Sequence, residues 1–327
     1  MTATASVARF GRVQVEMLEC VHQHRLLSTA QLHALYGDAL SMRRTQRALA
    51  AMECVGWLES VRQPGGMKLW FVTERGADTV ESIGNRAELR RKVIPRELAA
   101  GPLQQHTLAV NEVGVAFVRA ARERPPDEFG PLSWRNEIAH PIGPRPGRRG
   151  TEMLIADAEL TYLQVLDGRV RLHWALVEVD RATMALETLV SKLGRYVRLS
   201  EYAGQPGRRR IGAGPLWREH YPEFPTLLVV LANASHRRLW NRRWLVQSLW
   251  ERDHADRGER IDVRVCIYSE LMQHGPFAPV FMDDRQEMVD WLGRSPDDPD
   301  EEELTEDESP PAPAKDTEPA SDAWGHW

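Results

Sequence analysis

Four charged side chains in the middle of the sequence have types and spacing that suit work on a cation. They are Asp157 on a short apolar run, Glu178 and Asp180 at the end of a longer one, and Lys192 in the amphipathic stretch beyond. Period 2 through Leu172, Trp174, Leu176, Glu178 and Asp180 places three apolar side chains and both acids on one face of a strand, so the two carboxylates point the same way. Ionised groups in apolar surroundings are costly unless a cation or hydrogen-bond donors compensate. The pattern therefore asks for a metal, an Arg or Lys partner, or a water-filled cleft. A structural ion-pair network with Arg181 or Arg195 is the alternative for the three acids, and a plain surface position is the alternative for Lys192.

These residues need a scaffold, and 327 residues suffice for two domains with additional ends. Hydrophobic residues at 42% and charged residues at 27% are ordinary for a soluble globular chain. No apolar run approaches the roughly 20 residues that cross a bilayer, and the first residues lack a basic-then-apolar secretory pattern, so a cytoplasmic protein without membrane contact is expected. Cys20, Cys54 and Cys266 are odd in number and far apart, which excludes a disulfide framework or zinc ribbon as the organising principle. The net charge of -5 averages two unlike parts: Asp297 to Trp327 holds twelve acids and one base, leaving the rest at +6. A mildly basic body with a Pro-rich acidic tail fits a nucleic-acid binder with a disordered tail, or a tail that only aids solubility. Trp324 and Trp327 in that tail have the character of a docking motif for a protein partner.

The first stretch reads as three helices and a hairpin. Phe10, Val13, Met17, Leu18 and Val21 recur at helical intervals within Val7 to His24; Ser28 and Thr29 can cap a short helix through Leu35, and Gly37 turns the chain. Ser41 can cap a third helix with Met42, Leu49, Met52 and Val55 inward and Arg43, Arg44 and Arg47 outward. Trp57 to Val61 and Leu69 to Val72 are strand-like, joined by Gln63-Pro64-Gly65-Gly66, and Thr73 starts another helix. Helix, helix, basic helix, hairpin is the order of a winged helix-turn-helix, whose third helix enters the major groove of duplex DNA while the wing follows the backbone. Arg43, Arg44, Thr45 and Arg47 are then the groove contacts, with Arg62 and Lys68 on the wing. The alternative is a solvated basic face on a unit that joins two copies into a homodimer.

Residues 1–85 thus form the first domain, the basic Pro-containing residues 86–102 a linker, and residues 103–294 the second domain, with the acidic tail at 295–327. In the second domain Leu103 to Ala121 is helical, Trp134 to Ile138 and Leu154 to Leu166 are strands around an irregular loop at residues 143–149, and Asp167-Gly168 is a hairpin turn into Val170 to Asp180. A helix over Met184 to Tyr202, a strand buried on both faces over Pro225 to Leu231, a helix over Trp240 to Arg252 and a strand over Ile261 to Tyr268 complete it. The expected class is α/β, a mixed sheet covered by helices, preceded by an α+β winged-helix domain.

This layout resembles the restriction-endonuclease-like fold of the PD-(D/E)xK nucleases. More narrowly, it resembles the replication-relaxation family of plasmid and mobile-element proteins. The resemblance rests on Leu103-x-x-His106, Trp134-x-x-Glu137, Ala156-Asp157-Ala158, Val177-Glu178-Val179-Asp180-Arg181-Ala182-Thr183, Lys192-Leu193-x-x-Tyr196 and Phe224-Pro225, and it extends to about Tyr268. It implies Asp157 and Glu178 as ligands of Mg²⁺, with Asp180 beside them, and a lysine that activates water for phosphodiester hydrolysis. The chain departs from the pattern at Ala156, where a Pro is usual, and at Asp180, where the lysine is usual; Lys192 is the relocated candidate. The resemblance implies a DNA-binding protein of a plasmid or mobile element, with metal-dependent nicking as its chemistry, or else a non-catalytic adaptor in replication or transcription control. His106, His140 and His173 lack paired metal spacing and read as structural, Ser235-His236 lacks a nucleophile elbow, and Glu112 and Glu137 offer further carboxylates.

Overall fold

Helix α1 (Arg12–His24) buries Met17, Leu18, Cys20 and Val21 at the expected spacing. The structure, a computed structural model, describes residues 10–83, 93–101, 104–145, 147, 149–204, 214–254 and 261–297. Val7 to Arg9, residues 86–92 and 102 of the expected linker, Leu103, Arg148 and the acidic tail from Asp298 with its two tryptophans lie outside these residues. Strand β1 (Leu27–Ser28) leads into α2 (Thr29–Tyr36), where the Ser28 hydroxyl accepts from Gln31 N at 3.1 Å and the Gln31 side chain accepts from Ser28 N at 3.0 Å. Such a reciprocal cap satisfies two otherwise orphaned donors. Helix α3 (Met42–Cys54) follows Ser41, which makes no side-chain cap bond, and it buries Thr45, Ala48, Leu49 and Met52. Met42, expected inward, is exposed because it occupies the first turn, ahead of the packed face. Strands β2 (Leu58–Arg62) and β3 (Lys68–Val72) form the hairpin through Gly65 and Gly66 at φ of 90° and 87°, and α4 (Glu74–Ile83) follows.

After α5 (Arg96–Ala100) and α6 (Gln104–Arg122) come β4 (Trp134–Pro144), β5 (Thr151–Leu166) and β6 (Arg169–Asp180), an antiparallel meander. Asp167 and Gly168 turn between β5 and β6 at φ of 50° and 72°, as a two-residue hairpin of the primed type requires. Helix α7 (Leu186–Glu201) crosses to β7 (Thr226–Leu231), parallel to β6; α8 (His236–His254) crosses to β8 (Val263–Ile267), parallel to β7. Helix α9 (Tyr268–His274) and strands β9 (Phe281–Met282) and β10 (Met288–Val289) follow. Among the described residues there are two sheets, a three-stranded antiparallel one in the order β1-β3-β2 and a mixed seven-stranded one in the order β10-β9-β8-β7-β6-β5-β4. The buried run expected to be a central parallel strand is β7, flanked on both sides by parallel partners.

One face of the large sheet, with Leu176, Leu227, Val229, Val263 and Val265, packs on α7 and α8. The other, with Val177, Leu228 and Val230, shares a core with α6 and the amino-terminal helices. Gly114 on α6 lets that helix close on the sheet, since a Cβ there would stand 2.4 Å from the Trp134 ring. The His24 ring stacks on Trp134 at 3.9 Å, and Gln23 Nε2 donates to Leu132 O at 3.0 Å and Trp134 O at 2.6 Å. The amino-terminal elements and the large sheet are therefore one compact unit up to Ser295. The apolar face expected along β6 is corrected in its first half: Leu172 is 47% exposed, because pairing with β7 begins only at Ala175.

Candidate functional site

The ladder between β5 and β6 ends where Ala158 faces Val177, while β6 stays paired to β7 as far as Asp180. The strands part at that point, and Asp157 fills the fork. Its Oδ2 accepts from Val179 N at 2.8 Å and lies 3.2 Å from His106 Nε2 on α6. Glu178, 1% exposed, approaches from β6. Helix α7 supplies Lys192 and, one turn later, Tyr196: the ammonium is in contact with Glu178 Oε2 and 3.7 Å from Asp157 Oδ1, and the Tyr196 hydroxyl donates to Glu178 Oε1. Asp157 and Glu178 thus face one cation together, and Lys192 is no plain surface residue.

Burial and the neighbouring Asp157 charge push the Glu178 carboxyl up to about 8, against the pull of Lys192 and the Tyr196 hydroxyl. Burial also acts on Asp157, but the His106 bond, the Lys192 charge and the Val179 N–H outweigh it and hold this carboxyl below the usual range. Burial lowers Lys192, yet the two acids more than compensate and keep its ammonium protonated. The fork holds one committed anion, one acid with a proton affinity near neutrality, and a cation between them.

Asp180 is elsewhere, which corrects the expected meeting of three acids. Its carboxylate accepts from Arg242 Nε on α8 at 2.6 Å and from Ala182 N at 3.1 Å, with no exposed side-chain surface. Two residues along a strand are roughly 6.6 Å apart, so sharing a face with Glu178 does not bring Asp180 to the same point. Arg181 binds Gln105, and Arg195 binds Glu152 and Met153 O, so neither is the partner that the alternative assigned. Glu137 is held by Arg25, and Glu112 accepts from Gln31 at 3.0 Å; both serve the joint with the amino-terminal elements. His106, expected as structural, is a member of the fork. Among the described residues no group of three or more His, Cys, Asp or Glu could hold a metal ion.

Arg43, Arg44 and Arg47 are exposed on α3 and have no ion pair among the described residues. Thr45, expected to reach outward, is fully buried and its hydroxyl turns back to Ser41 O at 3.3 Å. Arg62 donates to Gly66 O at 3.2 Å and closes its own hairpin. Lys68 is bound to Glu53 at 2.9 Å and sits 3.9 Å over the Trp70 ring, so its charge is compensated where it stands.

Behind β5 lies a second polar cluster. Glu159 accepts from Arg135 at 2.6 Å and from the Tyr221 hydroxyl, which is 3.3 Å from His140 Nε2. Burial lowers His140 to about 4. The unfolded chain then takes up the proton first as pH falls below about 6.5, so native stability declines between about 6.5 and 4 and levels off below. A shift of this size corresponds to at most about 3 kcal/mol. Urea unfolding of wild type and His140→Gln across this range is expected to show the variant with the shallower pH slope. His173 is satisfied by Gln164 at 3.0 Å, and His236 by Glu270 at 2.9 Å.

Residues 18–213 match the family model for Replication-relaxation. The chain belongs to the replication-relaxation family. No curated protein and no solved structure matches it. Family membership points to a role in the replication or relaxation of plasmids and mobile elements. Within this replication-relaxation protein the matched residues contain the whole fork (His106, Asp157, Glu178, Lys192 and Tyr196) and the exposed arginines of α3, whereas Arg242 lies beyond them. No helix among the described residues is long and apolar enough to cross a membrane.

Proposed function

We propose that this protein grips duplex DNA of a plasmid or mobile element through α3 and its hairpin, acting as a winged helix, and hydrolyses a backbone phosphodiester at the fork. The carrying observation is that Lys192 touches both Asp157 and Glu178. It supplies from α7 the cation that the sequence lacks two residues after Glu178, which supports a restriction-endonuclease-like reading of the large sheet. Two carboxylates converging on one cation-sized point fit Mg²⁺, which keeps several waters and accepts phosphate oxygens in place of further protein ligands. Such an ion would polarise the phosphate and make hydroxide available. Of the chain's own groups, Asp157 offers the fixed anion, Tyr196 and Val179 N hold the two acids in place, and Lys192 gives up its contacts to face the phosphate or the attacking water.

A non-catalytic adaptor is the second reading, favoured by the complete satisfaction of Glu178, both of whose oxygens are bonded within the protein. Supercoiled plasmid separates the two. Wild type with Mg²⁺ or Mn²⁺ is expected to produce nicked circles that Asp157→Ala with Glu178→Ala does not, while both proteins shift duplex DNA equally. Equal shifts with no cleavage by either protein establish the adaptor. Arg43→Ala with Arg47→Ala is expected to weaken duplex binding and flatten its salt dependence.

A further inference from the structure

The outer face of α8 has a composition that neither the fork nor the α3 surface explains. Trp240 and Trp244 stand one turn apart with 39% and 38% of their surfaces exposed, on a helix whose other side fills the core through Leu239, Val246 and Trp250. Exposed indoles this close together on a well-packed helix are unusual, since tryptophan buries more surface than almost any residue. Trp240 does not hang loose: the buried Arg243 guanidinium lies 4.2 Å from its ring centre and is itself fixed to Glu270 at 2.9 Å. Arg237 lies one turn before Trp240 on the same side of the helix and Arg238 on the adjoining groove side, both exposed and without an ion pair among the described residues.

A groove of about 380 Å³ runs beside this face, lined by Leu186 of α7 and by Arg237, Arg238, Asn241, Arg242 and Leu245. Arg242 ties it to the candidate site, because the same side chain binds Asp180, two residues beyond Glu178 on β6. The groove thus opens at the carboxyl end of the strand that carries the fork.

We infer that this face of α8 is a platform for single-stranded DNA, with bases stacked on Trp240 and Trp244 and the backbone held by Arg237 and Arg238. Unpaired cations recognise phosphate, and rigid exposed indoles recognise base faces. Only an unpaired strand offers both at once, because bases in a duplex are already stacked. The platform rests on the reading that the protein acts on DNA, and it adds a strand-selective surface separate from the duplex contacts of α3. A strand opened beside the fork would be kept from re-pairing there.

The test uses the full chain and two fluorescein-labelled probes, a thymidine oligonucleotide of about 15 residues and a mixed-sequence duplex of similar length, followed by anisotropy over a salt series. Trp240→Ala with Trp244→Ala is expected to weaken single-strand binding at least about tenfold and to leave duplex binding within about twofold. Arg237→Ala with Arg238→Ala is expected to reduce the salt slope of single-strand binding by about 1.4. Trp240→Phe with Trp244→Phe retains ring faces and is expected to keep most of the affinity, which separates stacking from loss of structure. Single-strand affinity unchanged in the double alanine variant overturns the platform while duplex binding lost by the α3 variant leaves the wider reading intact. Failure of wild type to bind either probe removes both. A homodimer in sedimentation that the tryptophan variant dissociates assigns this face to a second copy of the chain and overturns the inference.

Discussion

Lys192→Met is expected to destabilise the protein by about 3 kcal/mol at neutral pH, through the Asp157 charge it leaves unpaired, and by progressively more above about pH 8. Removing one partner of a buried ion pair leaves an uncompensated charge, and such losses typically run to about 3–5 kcal/mol; the lower end applies here because Lys192 keeps 27% of its side chain exposed. The pH signature comes from Glu178. Its folded carboxyl is already raised to about 8, so the proton it binds contributes stability that is complete below the unfolded value and is lost as pH rises through the folded one. Without the ammonium the carboxyl rises further and the acid stays neutral in the fold to higher pH. Wild type and variant therefore lose stability in parallel up to about pH 8, and the penalty grows only above it, where the wild-type carboxyl ionises and the variant's does not. Chemical unfolding at about pH 7 and about pH 9.5, on either side of the folded Glu178 value, measures it. Glu178→Gln added to Lys192→Met is expected to remove most of the pH dependence, since the amide carries no charge at either pH. Equal destabilisation at both pH values would mean that Lys192 acts on Asp157 or through its aliphatic stem, and not on Glu178. In the plasmid assay Lys192→Met and Glu178→Gln, each alone, are expected to lose nicking.

How far the sequence reveals this site depends on which contacts are local. Lys192 and Tyr196 are four apart on a helix, so their common face is written in the chain, and the Asp167-Gly168 turn fixes β5 against β6 closely enough to bring Asp157 near Glu178. His106 is different. Its partner is 51 positions away on another element, and a lone histidine on a helix has no spacing to mark it; only the Leu103-x-x-His106 motif singled it out. Arg242 is harder still, one of four arginines in the first two turns of α8, two of which face solvent and one of which is fully buried. Element limits failed for physical reasons too. The expected strand ends at Ile138 and the expected loop starts at Gly143, yet β4 runs to Pro144 because it is the edge of the large sheet, where a missing N–H costs no ladder bond, and a register shift lies between Pro141 and Gly143. Strands β9 and β10 are two residues each, too short to show any alternation.

Arg242→Met is expected to cost about 3–5 kcal/mol, because Asp180 has no exposed side-chain surface and would be left with the Ala182 N–H as its remaining donor. Asp180→Asn with Arg242→Met is expected to recover most of that loss, since an uncharged pair of similar volume has no buried charge to compensate. The same substitutions decide what Asp180 is for. If its carboxylate serves only to dock α8 on the end of β6, Asp180→Asn alone keeps metal-dependent nicking, with a modest change in stability and no change in the metal concentration needed for half-maximal rate. A variant that unfolds like wild type but needs much more Mg²⁺, or no longer nicks, would instead move Asp180 into the set of ligands and require Arg242 to release it when the ion binds. Docking is the better account of the geometry, because Arg242 is itself anchored to Met184 O at 3.0 Å and so reaches Asp180 from a fixed position, holding α8, the residues leading into α7 and the end of β6 together beside the fork.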